Sequence, residues 1–191
     1  MIERPWVPSK KALRLARPSD APRLAEIYRP FVLGSPATFE TVPPSAAEFR
    51  RRMAGAIVWL AAEDGGRVVG YAYAGAHRER AAYRWAVDVS VYVEAGRQGR
   101  GIGKALYAAL LERVRRLGYF NAYGGITLPN PASVKLHESF GFHPVGVYRS
   151  VGFKLGAWHD VGWWELAFPG RPAVPSEPGA TTPDLRRRQA N

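Results

Sequence analysis

Apolar positions along this chain fall into short alternating runs interrupted by helically periodic stretches, and that rhythm predicts a mixed α/β protein. Ala12–Arg17 alternates as a short strand. Pro18-Ser19-Asp20 then opens a helix to Val32, with Leu24, Ile27, Tyr28 and Phe31 on one face. Gly34–Pro44 reads as a loop carrying Thr38-Phe39-Glu40, and Ser45 caps a second helix over Ala46–Ala54. Three strands follow, Ile57–Glu63, Arg67–Ala76 and Ala86–Val93, the first two joined by a turn at Asp64-Gly65-Gly66. A long helix, Gly101–Leu117, carries Ile102, Leu106, Leu110, Val114 and Leu117 as its buried stripe, and Gly118 ends it. A strand near Tyr119–Thr127 comes next, then a short helix opened by Asn130-Pro131 and ended at Phe140 by Gly141. Two strands near Val145–Phe153 and Val161–Phe168 close the order β-α-α-β-β-β-α-β-α-β-β. No repeat is visible.

The strand-to-helix junction within Val91–Leu111, VYVEAGRQGRGIGKALYAALL, carries the most chemistry. Its glycines uncover backbone N–H groups where a helix N-terminus already presents four unpaired donors and the positive end of its dipole. That is a cradle for phosphate oxygens, and Arg97, Arg100 and Lys104 add positive charge around it. Two phosphate loops are excluded by their letters. A P-loop needs Ser or Thr after Gly-Lys, and Ala105 follows Gly103-Lys104. The dinucleotide fingerprint needs a third glycine, which Lys104 or Leu106 replaces in the two possible frames. The spacing that is present, Gln98-x-x-Gly101-x-Gly103, resembles the acyl-coenzyme A loop of the GCN5-related N-acetyltransferases (GNAT). The resemblance implies that backbone amides hold the cofactor pyrophosphate.

Composition narrows the class. A chain of 191 residues suffices for one domain with its own core. We expect that domain over residues 12–168, after an extension of residues 1–11 and before a Pro- and Arg-rich tail, 169–191, too poor in apolar surface to order itself. No apolar run is long enough to span a membrane, and the start lacks a signal-peptide core, so the cytoplasm is the expected compartment. The absence of cysteine excludes disulfides, thiolate catalysis and cysteine-ligated zinc, and the four histidines have no metal-binding spacing. The net charge of +11 admits nucleic acid as a partner. A basic cluster, Arg186-Arg187-Arg188, ends the tail, and a polyphosphorylated cofactor accounts for part of the excess. Nucleic-acid binding is therefore not expected to be the main function.

Further segments narrow the resemblance to one branch. Thr38-Phe39-Glu40, Gly70-Tyr71-Ala72-Tyr73-Ala74, Tyr83-Arg84-Trp85, Ser90-Val91-Tyr92-Val93, Leu128-Pro129-Asn130-Pro131-Ala132-Ser133, Leu136-His137-Glu138 and Gly156-Ala157-Trp158-His159-Asp160-Val161 are similar to the phosphinothricin N-acetyltransferases and the related methionine sulfoximine and sulfone acetyltransferases. The similarity runs from about Leu13 to Phe168. It implies an α/β (α+β) GNAT fold, with a central mixed, mostly antiparallel sheet flanked by helices. It implies acetyl transfer from acetyl-CoA to the α-amino group of a small amino-acid-like substrate, in a homodimer, without a metal.

The same resemblance places the site. Val91, Tyr92 and Val93 would pair with the pantetheine arm, with the Val91 N–H as oxyanion donor. Gln98, Gly99, Arg100, Gly101, Ile102, Gly103 and Lys104 would hold the phosphates. Asn130 and Ser133 would contact the cofactor while also capping their helix. An α-ammonium must lose a proton before it attacks a thioester, so a base is needed. The family usually places a Glu on the strand before the loop. Here Asp88 stands there, shorter by one methylene, which favours a relaying water. His137, one turn after Ser133, is a candidate acid or base. Phe39, Glu40, Arg78, Glu79, Arg80, Tyr83, Asp88, Val89 and Ser90 are the candidate substrate residues, the arginines because a planar guanidinium grips oxyanions through two hydrogen bonds. Three other readings stand beside this one: an acetyltransferase for another small amine, a catalytically silent acyl-CoA sensor, and a basic nucleic-acid module.

Overall fold

The computed structural model describes residues 12–179. Seven strands form one sheet: β1 (Leu13–Leu15), β2 (Val58–Asp64), β3 (Arg67–Ala76), β4 (Ala86–Val93), β5 (Asn121–Leu128), β6 (His143–Lys154) and β7 (Ala157–Ala167), in spatial order β1-β2-β3-β4-β5-β7-β6. Four α-helices flank it: α1 (Ala21–Gly34), α2 (Ala46–Gly55), α3 (Ile102–Arg116) and α4 (Pro131–Glu138). The expected fold class and element order hold.

Every strand pair is antiparallel except β4–β5, which are parallel over three rungs: Ala86 opposite Asn121, Val87 opposite Ala122 and Asp88 opposite Tyr123. The two strands are not paired beyond the Asp88–Tyr123 rung. The two-residue period of β3 and β4 assigns their side chains to faces. Ala72 and Ala74 pair with Val91 and Val89, and this set lies with Leu106, Leu110 and Val114 of α3 in one core. Tyr71, Tyr73 and Gly75 pair with Tyr92, Ser90 and Asp88 on the opposite face, where Trp59 and Tyr71 bury against Leu24, Ile27 and Phe49 of α1 and α2. Gly70 lets α3 approach: a Cβ there would stand 3.2 Å from Leu106 Cδ1 and 3.0 Å from the Tyr92 carbonyl oxygen.

Two expectations change. The last two strands form one long hairpin, because Leu155 (φ 53°) and Gly156 (φ 79°) make a two-residue turn with both residues at positive φ. Leu155 is an unusual residue for that turn, and it hides the hairpin from pattern reading. The supposedly unstructured tail is also tied down over residues 169–179. The Trp85 indole N–H donates to the Ser176 carbonyl at 2.8 Å and the Gly179 amide to the Leu117 carbonyl at 2.7 Å. Arg84 pairs with Glu177, and Arg171 donates to Asn121. Polar contacts order this stretch where apolar burial alone does not. The extension 1–11 and the cluster Arg186-Arg187-Arg188 lie outside the described residues. Within the described residues no helix is long and apolar enough to cross a membrane.

Candidate active site

The phosphate cradle forms where β4 hands over to α3. Gly99 (φ 77°) and Gly101 (φ 89°) adopt left-handed backbone, and nothing lies within 4 Å of where a Cβ would stand on either. Gly101 is the N-cap of α3 and no side chain caps the helix, so its first-turn N–H groups have no side-chain acceptor. Gln98 braces the loop: its Oε1 accepts from the Gly96 amide at 3.2 Å, and its Nε2 donates to the Val93 carbonyl at 3.4 Å. Arg100 Nε is buried without a partner, an orphan donor beside the cradle. The Ile102 side chain is sealed in the core, so only its backbone faces a ligand. Arg97 differs from expectation. Its guanidinium pairs with Asp64 and Glu94, which ties it to the β2–β3 end and leaves Arg100 and Lys104 as the cations at the loop.

From this loop a cleft runs between the diverging strands. Val89–Val93 line one side and Gly125–Thr127 the other, with Asn130 and Ser133 of the α4 N-terminus, Gln98, Gly103 and the rim residue Phe31. Val89, Val91 and Val93 turn their side chains into the α3 core, so only their backbone serves the cleft. The Val89 side chain thus lies on the opposite face of the sheet from Asp88 and Ser90. The Tyr92 ring packs on Tyr28 and Phe31 of α1. Asn130 Oδ1 accepts from the Ser133 amide at 3.1 Å, an N-cap that leaves the Ser133 hydroxyl at the cleft.

His137 sits at the base of this cleft, on the α3 face. Its Nδ1 donates to the Ser133 carbonyl at 2.8 Å, and its ring meets Tyr107 and Phe142 edge-on at 5.1 Å each. Its Nε2 is buried and unpartnered against Gly124, where a Cβ would stand only 2.3 Å away. Burial pushes the imidazole below its ordinary value, which keeps it neutral. Asp88 points to the opposite face of the sheet. The structure therefore does not bring the two expected acid–base residues together.

The second group of candidate residues lies on the face of α1 and α2. Asp88 Oδ1 is 2.6 Å from His77 Nδ1. Burial pushes the Asp88 carboxyl up, against the pull of His77 and Arg78. Gly75, directly across from Asp88, leaves open space above the rung. Ala76, His77, Arg78, Glu79, Arg80 and Tyr83 line one hollow beside it. Arg78 donates to the His77 carbonyl at 2.9 Å and lies over the Trp163 ring. Ser90 lies directly across from Tyr73 in the β3–β4 register. Phe39 and Glu40 come from the loop between α1 and α2. Glu40 is gripped by Arg52 through two hydrogen bonds, at 2.7 and 3.1 Å, and accepts from the Tyr28 hydroxyl at 3.0 Å. These bonds tie the loop to α1 and α2. Phe39 covers Gly152 of β6, where a Cβ would fall 2.2 Å from its ring.

Two contacts escaped the sequence reading, the Asp88 partner of His77 and the carbonyl partners of Lys154. His77 stands two positions beyond Gly75 on the same strand face, but only the β3–β4 register reveals Asp88 beside it. Lys154, buried in the β6 hairpin, donates to the Ser35 and Thr38 carbonyls at 2.7 Å each and to the Phe31 carbonyl at 3.3 Å. Desolvation lowers its pKa. No local pattern marks it.

An uncapped helix N-terminus feeding a cleft between parting parallel strands, with a basic hollow at the crotch, suits transfer of a group from a phosphate-bearing donor to a small anionic acceptor. Among the described residues no group of His, Asp and Glu is placed to hold a metal. Comparison with known proteins agrees with this arrangement. The model of the acetyltransferase (GNAT) domain matches residues 13–163. The phosphinothricin N-acetyltransferase of Streptomyces viridochromogenes is 38% identical over 170 residues, covering 85% of this chain and 93% of the relative. The L-methionine sulfoximine/L-methionine sulfone acetyltransferase of Salmonella typhimurium is 35% identical over 159 residues, 81% of this chain and 92% of the relative. The crystal structure of a GNAT superfamily phosphinothricin acetyltransferase from Sinorhizobium meliloti, in complex with acetyl-CoA, superposes with a TM-score of 0.83 at 37% identity. It covers 91% of this chain and 96% of that one.

Proposed function

Because the chain belongs to the GNAT acetyltransferases, in the branch of the phosphinothricin and methionine sulfoximine enzymes, and is an acetyl-CoA-dependent N-acetyltransferase, we propose that its acceptor is the free α-amino group of a small amino-acid-like molecule. The observation that carries this reading is the Asp88–Tyr123 rung itself: the donor cleft is lined from Val89 and Gly125 onward, and His77 of the Arg78–Arg80 hollow touches both residues of the rung. Arg78 and Arg80 suit the acceptor's carboxylate, or a phosphinate or sulfoximine group beside it.

Acetyl-CoA supplies the activated acyl carbon. The N–H groups of residues 99–103, with Arg100 and Lys104, hold its pyrophosphate. The backbone of Val91 and Val93 orders the pantetheine arm, and the Val91 N–H receives the charge that develops on the thioester oxygen. The acceptor amine attacks directly in a ternary complex, after the Asp88 side of the site has taken its proton. His137 holds α4 against β5 and contributes no second base. A second copy of the chain is the expected partner, with Val145, Val147, Tyr148, Phe153 and Trp158 of the exposed hairpin as the apolar contact. The compartment is the cytoplasm, where acetyl-CoA is made.

The test is thiol release from acetyl-CoA against phosphinothricin, methionine sulfoximine, methionine sulfone, ordinary amino acids and polyamines. Saturable turnover with the first three supports the reading. Turnover confined to polyamines overturns the acceptor assignment and keeps the acetyl transfer. Tight cofactor binding without turnover on any amine makes the chain a silent acyl-CoA binder.

A further inference from the structure

The acceptor end holds a histidine to which no role has yet been given. His77 is fixed on all sides. Its ring stacks on Tyr123 of β5 at 4.3 Å and 22°. It meets Tyr83 and Trp163 edge-on at 6.1 Å each, and its Nδ1 lies 2.6 Å from Asp88 Oδ1. The charged and titratable groups around it are Asp88 from β4, Tyr123 from β5 with Glu165 of β7 bonded to its hydroxyl, and Arg78 and Tyr83 from its own loop. A carboxylate on Nδ1 keeps the proton there and leaves the lone pair on Nε2. Nε2 has no hydrogen-bond partner among the described residues, and it is not sealed in the interior.

Position and chemistry then point the same way. His77 lines the hollow that holds Arg78 and Arg80, and Asp88 does not. In an α-amino acid the nitrogen sits on the carbon that bears the carboxylate. A carboxylate gripped in that hollow therefore leaves its ammonium beside the hollow's wall. Asp88 keeps 39% side-chain exposure, so its second oxygen is the rival base. A carboxylate is by nature the weaker base, and imidazole is the side chain whose ordinary titration lies closest below that of an α-ammonium.

We propose that His77 is the catalytic base of the acetyl transfer and that Asp88 is the positioning residue that orients its ring and fixes its tautomer. The proposal rests on the acetyl-transfer reading above. An N–H bond of the ammonium breaks and the proton passes to Nε2, while Nδ1–H stays on Asp88. The freed lone pair forms the C–N bond at the thioester carbonyl, and collapse breaks the C–S bond. The second nitrogen proton goes to the departing thiolate, and the proton on His77 returns to solvent. The products are the N-acetyl amide, coenzyme A thiol and one proton.

The experiment compares wild type, His77→Ala, His77→Phe and Asp88→Asn in thiol release from pH 6 to 9, using whichever amine the acceptor panel shows to be turned over. Acetyl-CoA affinity is read by calorimetry. Both His77 variants should lose roughly 100- to 1000-fold in kcat, the usual worth of general base catalysis, with cofactor affinity kept. Their pH profiles should lose the limb that the base contributes and instead climb through the whole range with the free-amine fraction of the acceptor. Added imidazole should restore part of the His77→Ala rate and none of the His77→Phe rate, whose ring fills the space. Asp88→Asn should lower kcat while retaining its own His77. His77→Phe keeps the stack on Tyr123 and so carries the test if His77→Ala fails to fold. A His77→Phe protein within tenfold of wild type, with the wild-type pH profile unchanged, overturns the proposal and returns the base to Asp88. A wild type inactive on every amine overturns the acetyl-transfer reading itself, a different result from either.

Discussion

The two faces of the sheet each carry a histidine beside the cleft, and they are built on opposite terms. On the α3 face His137 is walled in by Tyr107, Phe142 and the Gly124 backbone, neutral, with one nitrogen on a carbonyl and the other on nothing. On the α1 face His77 is held by a carboxylate and a stacked phenol, with its second nitrogen unpartnered among the described residues. The donor side of the cleft is made of backbone, glycine and packing, so its requirements are spatial. The acceptor side is made of side-chain hydrogen bonds, so its requirements are chemical. The role of a histidine here depends on which face it occupies.

The largest break in that comparison should come at the loop. Gly101→Val puts a branched side chain at φ 89° over the exposed amides. Acetyl-CoA affinity should fall at least roughly 100-fold, the worth of one or two hydrogen bonds to charged oxygens. Calorimetry checks it, and unchanged affinity sinks the cradle.

A methyl group added to each face sharpens the contrast. Gly124→Ala must fit a Cβ 2.3 Å from His137 Nε2 inside a sealed wall, and overpacking of that kind costs about 1–3 kcal/mol. Gly152→Ala meets Phe39 at 2.2 Å, but Phe39 is 38% exposed and can swing aside. The first should lower the denaturant midpoint. The second should leave stability nearly intact and raise the KM for the acceptor alone. Equal losses of stability would contradict the distinction between a sealed and an adjustable face.

The smallest effect is in pH. The native His137 imidazole is held below its ordinary value, so the unfolded chain takes up a proton that the native chain refuses. Stability should therefore fall as pH drops below about 6.5, by at most about 1.4 kcal/mol per pH unit. The contribution is flat above that and ends once the native imidazole also protonates. His137→Gln should show a shallower slope between pH 7 and pH 5. Identical slopes would mean that His137 is charged in the folded protein.

What was legible in the sequence follows the same division. The Gln98–Gly103 spacing, the α3 stripe and the Asn130 cap depend on neighbours within a few residues, and each could be read directly. The face of Val89 required the strand parity that the β3–β4 register supplies. The pairing of His77 with Asp88 joins two strands eleven positions apart, and Lys154 reaches carbonyls more than a hundred residues away. Neither leaves a local trace. The hairpin turn at Leu155 was obscured by a residue that turns seldom use, and Arg97 by an ion pair formed across the sheet end.

Lys154 has one more consequence. The loop between α1 and α2 hangs by its carbonyl groups from an ammonium on another strand, and every amino acid has a carbonyl. At Ser35 and Thr38 the path of that loop is thus held through backbone, with the Glu40–Arg52 pair as a separate side-chain tie. Ala37 and Phe39 can be exchanged through evolution without disturbing the Lys154 contacts, so this segment can diversify on a fixed mount while the cleft beside α3 stays as it is.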